Sequence, residues 1–197
     1  MEKIILLSNN ENAKCLYNWL VNKGYNVLLC HEPITISIVD EYNPDLVISY
    51  NYIHIVKEDV INKLENRIIN MHISYLPWNK GASPNIWSFI ENTPKGVTIH
   101  RLEKGLDTGK IIIQKECSFD EDVETLSSTY EALNNEIVQL LEENWEIFEK
   151  GVFDLKDQCG EGSYHRVADL DRLLAGKTID YNMTITDFKK FINGILV

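Results

Sequence analysis

The chain has 197 residues, enough for one sizeable domain with a real core and too few for two large ones. Apolar residues make up 44% and charged residues 25%, the balance of a soluble globular protein, and no apolar run reaches the roughly 20 residues of a membrane span. A net charge of -11 argues against a general nucleic-acid surface, because phosphate backbones need dense lysine and arginine to displace counterions.

The opening MEKIILLS is too short for a signal peptide, lacks a small-residue cleavage site and reads as a first strand, so a cytoplasmic protein is expected. Residues 3–8 form that strand, and Ala13, Leu16, Leu20 and Val21 then recur at helical spacing up to Gly24. Residues 26–30 supply a second strand, 34–42 a short helix, and DLVISY at 45–50 a third, continuously apolar strand. Helix at 57–64, strand at 67–71 and helix at 84–91, with Pro84 in its first turn, continue the alternation. Double-sided apolar strands separated by helices predict a doubly wound, mostly parallel α/β sheet of Rossmann-like type. Residues 96–102 and 110–119, joined by the turn EKGLDTG, predict an antiparallel extension of that sheet. Residues 122–151 read as one long amphipathic helix. The expected organisation is a catalytic domain over 1–151 and a short C-terminal appendage over 152–197 that ends in an apolar pattern through Phe188, Phe191 and Ile195.

The first strand-to-helix turn, SNNENA at 8–13, has no glycine and carries Glu11, so a dinucleotide fingerprint is absent. Cys15, Cys30, Cys117 and Cys159 have no paired short spacing and read as core thiols. Ligands of open parallel sheets gather at the carboxyl ends of strands, where INMH at 69–72 places Asn70 and His72 two apart and on one side. The turn GLDTG at 105–109 can return Asp107 beside His72, where a carboxylate would fix the imidazole tautomer and favour its charged form. An aspartic-protease reading of DTG fails, because that chemistry needs two aspartates sharing a proton. A metal set of His72, His100 and Asp107 has no short ligand spacing behind it, so no metal is expected, and His100, on a strand with Val97 and Ile99, reads as structural.

Taken in order, NMH at 70–72, SYLP at 74–77, GASP at 81–84, GVTIH at 96–100 and GLDTGKII at 105–112 resemble the catalytic domain of the folate-dependent formyltransferases. That family includes the glycinamide ribonucleotide and methionyl-tRNA enzymes. HISYLPWNKGASPNIW at 72–87, with TLSSTY at 125–130, is most similar to the branch that formylates nucleotide-linked amino sugars. The resemblance implies transfer of the formyl group of N10-formyltetrahydrofolate to an amine, with Asn70, His72 and Asp107 as the catalytic residues. Asn70 would donate to the formyl oxygen, His72 would stabilise the oxyanion or accept the amine proton, as imidazolium or as neutral base, and Asp107 would orient His72. It also implies a folate site in SYNYIHI at 49–55, with Asn51, Tyr52, His54 and Ile55 as candidates and Leu106 opposite.

Glu11 opposes the phosphate of a glycinamide ribonucleotide, and a tail of mixed charge offers little to tRNA. A nucleotide-linked amino sugar is therefore the expected acceptor, of 4-amino-4,6-dideoxy type, dTDP-linked or the UDP-linked precursor of pseudaminic acid, for bacterial surface or flagellar glycans. Trp78, Asn79 and Lys80 are its candidate contacts. Another amine acceptor, or a catalytically silent folate-binding domain, is the alternative. Trp145 and Phe148, or Phe188 and Phe191, are the candidates to bury surface in a homodimer.

Overall fold

A computed structural model describes residues 1–196. Strands β1 (Lys3–Leu7), β2 (Asn26–Cys30), β3 (Leu46–Tyr50) and β4 (Ile68–His72) pair in parallel in the spatial order β2-β1-β3-β4. A two-residue strand β5 (Lys80–Gly81) follows outside this sheet, and β6 (Lys95–Arg101) and β7 (Ile111–Cys117) then extend it antiparallel beyond β4. The sheet thus has six strands and is mostly parallel, as the apolar runs predict.

Period-two alternation sorts the strand side chains onto two faces. Ile4, Leu6, Ile48, Ile69 and Met71 pack with Leu16 and Leu20 of helix α1 (Ala13–Asn22). Ile5, Leu7, Val47 and Ile68 face the opposite way, onto Val39 of α2 (Ile36–Tyr42) and Val60 and Leu64 of α3 (Glu58–Leu64). Helix α4 (Pro84–Ile90) has Pro84 in its first turn, where the missing N–H costs nothing.

The single helix expected over 122–151 is two. Thr125 caps α5 (Leu126–Glu143) in a capping box with Ser128, so the helix begins after the cap. At Asn144 the side-chain amide donates to the Leu140 carbonyl at 2.8 Å and the backbone leaves the helical region before α6 (Trp145–Lys150) resumes. Likewise α2 starts two residues later than expected, because Thr35 is its N-cap.

After α6 come β8 (Tyr164–His165), α7 (Val167–Leu174) and α8 (Ile185–Leu196). Strand β8 pairs in parallel with β5. Ile185, Phe188 and Ile192 of α8 pack with Ile86 and Phe89 of α4 and with Leu126 in one apolar cluster. Trp145, Phe148 and Phe188, expected as candidates for a dimer surface, are buried within the chain's own core and present no such surface. Among the described residues no helix is long and apolar enough to cross a membrane.

Candidate active site

Asn70 and His72 end β4, and in the antiparallel register with β6 they lie opposite His100 and Thr98. Directly opposed residues share a face, so His100 is a neighbour of Asn70 by construction. The turn after β6 brings Asp107 to the same place. Its Oδ1 accepts from Asn70 Nδ2 at 3.1 Å and lies 3.4 Å from His100 Nε2, and its Oδ2 lies 3.6 Å from His72 Nδ1. The sequence-predicted trio is therefore one cluster, with His72 and Asp107 buried and Asn70 half-buried. His100, expected as structural, is buried against both Asn70 and Asp107. The spacing signal was present: Thr98 and His100 alternate with the core residues Val97 and Ile99, which puts them on the face of Asn70 and His72.

His72 Nε2 faces the Asn79 carbonyl at 3.0 Å. A carbonyl only accepts, so Nε2 carries the hydrogen. Nδ1 then faces the Asp107 carboxylate at 3.6 Å. His100 Nδ1 donates to the Arg101 carbonyl at 2.7 Å, and its Nε2 lies 3.2 Å from Asn70 Nδ2 and 3.4 Å from Asp107 Oδ1. Burial by itself pushes the Asp107 carboxyl up. The nearby charge of His72, the hydrogen bond and charge of His100 and the N–H of Gly81, which donates to Oδ2 at 2.8 Å, outweigh it and hold the group well below the ordinary carboxylate value. Asp107 is thus an anion through the neutral range.

Two cavities meet here. A cleft of about 400 Å³ is lined by Asn51, Tyr52, Asn70, His72, Gly81 and Asp107, among others. A groove of about 1110 Å³ runs between the sheet and α4 and α5, with amides from Asn12, Asn85, Asn134, Asn135 and Gln139 along its wall. Ile73, Ser83, Pro84 and Tyr130 line both. Asn134 carries no signal in the sequence, because helical periodicity alone does not say which cavity a face borders.

Of the residues expected at the folate, Asn51 and Tyr52 line the cleft, while His54 and Ile55 do not. Asn51 is fixed by its amide on Asn134 Oδ1 at 3.0 Å. The Tyr52 hydroxyl bonds the Glu32 carbonyl and the Ile34 N–H, and His54 faces the His31 carbonyl, so both side chains brace the neighbouring loop. Ile53, Ile55 and Leu106 are 75%, 87% and 50% exposed, three apolar side chains on the segments that flank the cleft.

The expected acceptor contacts stand apart from both cavities. Asn79 is fully buried, with its amide on Thr93 Oγ1 at 2.8 Å and its Oδ1 accepting from Ser163 Oγ at 3.2 Å, so the side chain offers no surface to a ligand. Trp78 and Lys80 are half-buried and line neither cavity. Strand β8 pairs with this loop at Lys80 and Gly81. Among the described residues no group of three or more His, Cys, Asp or Glu is placed to hold a metal ion.

The formyl transferase family model matches residues 7–144. The formyltransferase PseJ from Anoxybacillus kamchatkensis is 39% identical, with a TM-score of 0.85 over 93% of this chain and 96% of that one. Its crystal structure contains UDP-4,6-dideoxy-4-formamido-L-AltNAc and tetrahydrofolate. The dTDP-4-amino-4,6-dideoxyglucose formyltransferase of Mycobacterium tuberculosis is 31% identical over 159 residues, 81% of this chain and 64% of that protein. A methionyl-tRNA formyltransferase of Thermodesulfovibrio yellowstonii is 37% identical over 125 residues, and the matched part is 40% of that protein. With residues 7–144 inside the family match and the sheet, the strand-end trio and the cavities in place, the chain belongs to the formyl transferase family.

Proposed function

We propose that this chain transfers the formyl group of N10-formyltetrahydrofolate to the amine of a nucleotide-linked amino sugar. The observation that carries the reading is that the cleft lined by Asn70 and His72 adjoins the larger groove at Ile73, Ser83, Pro84 and Tyr130, since the reaction must bring a one-carbon donor and an amine acceptor together. The smaller cleft suits the folate. Its flanking Ile53, Ile55 and Leu106 offer apolar cover to a flat ring system, and Asn51 and Tyr52 form its wall. The larger groove suits a sugar nucleotide, whose hydroxyl and amide groups match the accessible amides of Asn12, Asn135 and Gln139 there.

In this reading the acceptor nitrogen bonds the formyl carbon as the bond from that carbon to N10 breaks. The amine loses a proton and N10 gains one. Asn70 Nδ2 faces the developing oxyanion, the His72 ring stands beside it, and Asp107 orients His72 and relays the amine proton through water. The UDP-linked 4-amino sugar is favoured over the dTDP-linked one, because the match to PseJ runs nearly end to end in both proteins, whereas the chain spans 64% of the dTDP-sugar enzyme. The net charge of -11 disfavours tRNA. Folate and sugar nucleotides place the work in the cytoplasm.

The test is mass spectrometry of UDP- and dTDP-linked 4-amino sugars incubated with the chain and N10-formyltetrahydrofolate. A formylated UDP-sugar supports the reading, and no product from any sugar nucleotide refutes it. Asn70→Ala lowers kcat about 10²-fold or more. Turnover within a few-fold of wild type would remove its assigned role.

A further inference from the structure

Asp107 has a φ of 53°, in the left-handed region, and follows Gly105 at 106°. A functional side chain in that sparsely populated conformation persists only where the surroundings fix it. The fixing group comes from the far end of the chain. Gln158 Nε2 donates to the carbonyls of Asp107 and Gly109, each at 2.8 Å. Gln158 is brought there because Lys156 and Ile111 exchange both backbone hydrogen bonds, at 2.9 and 2.8 Å, at the first residue of β7. Gln158 Oε1 is buried without a partner.

A second arm reaches His72. Ser163 Oγ accepts from the Asn79 N–H at 2.9 Å and donates to Asn79 Oδ1, while the Lys80 N–H donates to the Ser163 carbonyl at 3.0 Å. Asn79 has a φ of 55°, and its carbonyl is the acceptor for His72 Nε2. Beyond the strand pair, the His165 carbonyl accepts from the Ala82 N–H at 2.9 Å, next to the Gly81 N–H that binds Asp107 Oδ2. The His165 ring stacks on Trp87 of α4 at 3.9 Å, which pins the strap.

We propose that the segment 156–165 completes the active site, with Gln158 as a positioning residue for Asp107 and Ser163 as one for His72. The inference rests on the formyl-transfer reading above. Gln158, Ser163 and His165 all lie outside residues 7–144, the span of the family match.

The test uses Gln158→Leu, which keeps the volume and removes both donors, Gln158→Glu, which turns donors into acceptors facing carbonyls, and Gln158→Lys, which restores donors. For Leu and Glu, kcat falls about 10-fold to 100-fold with KM for both substrates unmoved, in variants that remain folded under assay conditions. Lys recovers most of the rate. A Leu variant with wild-type kcat, or one in which only KM changes, overturns the proposal. Should the Leu variant fail to fold, Gln158→Asn, the same amide on a shorter arm, is read by the same criteria. In the free protein, the imidazole ¹⁵N signals of His72 and His100 shift in Gln158→Leu, and unchanged signals overturn the proposal. If wild type formylates no sugar nucleotide, the functional reading fails, and these signals still decide whether the strap holds the cluster.

Discussion

Asp107→Asn isolates the charge at the centre of the cluster. Asparagine tolerates the left-handed φ of 53°, so the backbone is not strained by the change. The carboxylate accepts from Gly81 N–H at 2.8 Å and Asn70 Nδ2 at 3.1 Å. An amide has one oxygen, so in either orientation its NH₂ meets a donor. One unmet buried hydrogen bond costs about 1–3 kcal/mol. Loss of the anion beside His72 removes the carboxylate that its ring faces, and kcat falls about 10²-fold to 10⁴-fold. The pH dependence is diagnostic. The folded carboxyl titrates below its ordinary 3.8, so its contribution to stability is complete above 3.8 and is lost as pH falls through the lower folded value. At pH ~3 the unfolded chain has taken up most of a proton and the folded chain has not, which removes about 1 kcal/mol from wild type relative to pH ~5. The amide variant has no such titration. Urea unfolding of both proteins at the two pH values therefore shows the stability gap between them narrowing by about 1 kcal/mol toward acid. An equal gap at both values, or kcat within about tenfold of wild type, refutes the reasoning.

Asn79→Ala removes a fully buried amide from Thr93 and Ser163, and urea unfolding registers a loss of about 1–3 kcal/mol. Because that side chain has no surface, kcat falls while KM for the sugar nucleotide stays, and a KM rise at constant kcat would restore it as an acceptor contact. Phe188→Ala opens a cavity in the cluster that joins α8 to α4 and costs about 3–5 kcal/mol. A loss under ~1 kcal/mol would show that α8 is not part of the cooperative core.

The parallel sheet was legible because continuous apolar runs such as DLVISY can only be satisfied between two helix layers. Asn70 and His72 were legible because a period of two puts them on one side of one strand, and the DTG turn marked Asp107 by its chemistry. These are short-range properties, and short-range spacing carries them. What the tertiary structure alone decided depends on register between distant segments. His100 became a member of the cluster only through its pairing opposite Asn70. Asn79 changed from a presumed sugar contact to a buried brace because β8, far along the chain, lies against β5. Gln158 has no local pattern at all, since its partners are backbone carbonyls, and a carbonyl leaves no trace in the identity of the residue that carries it.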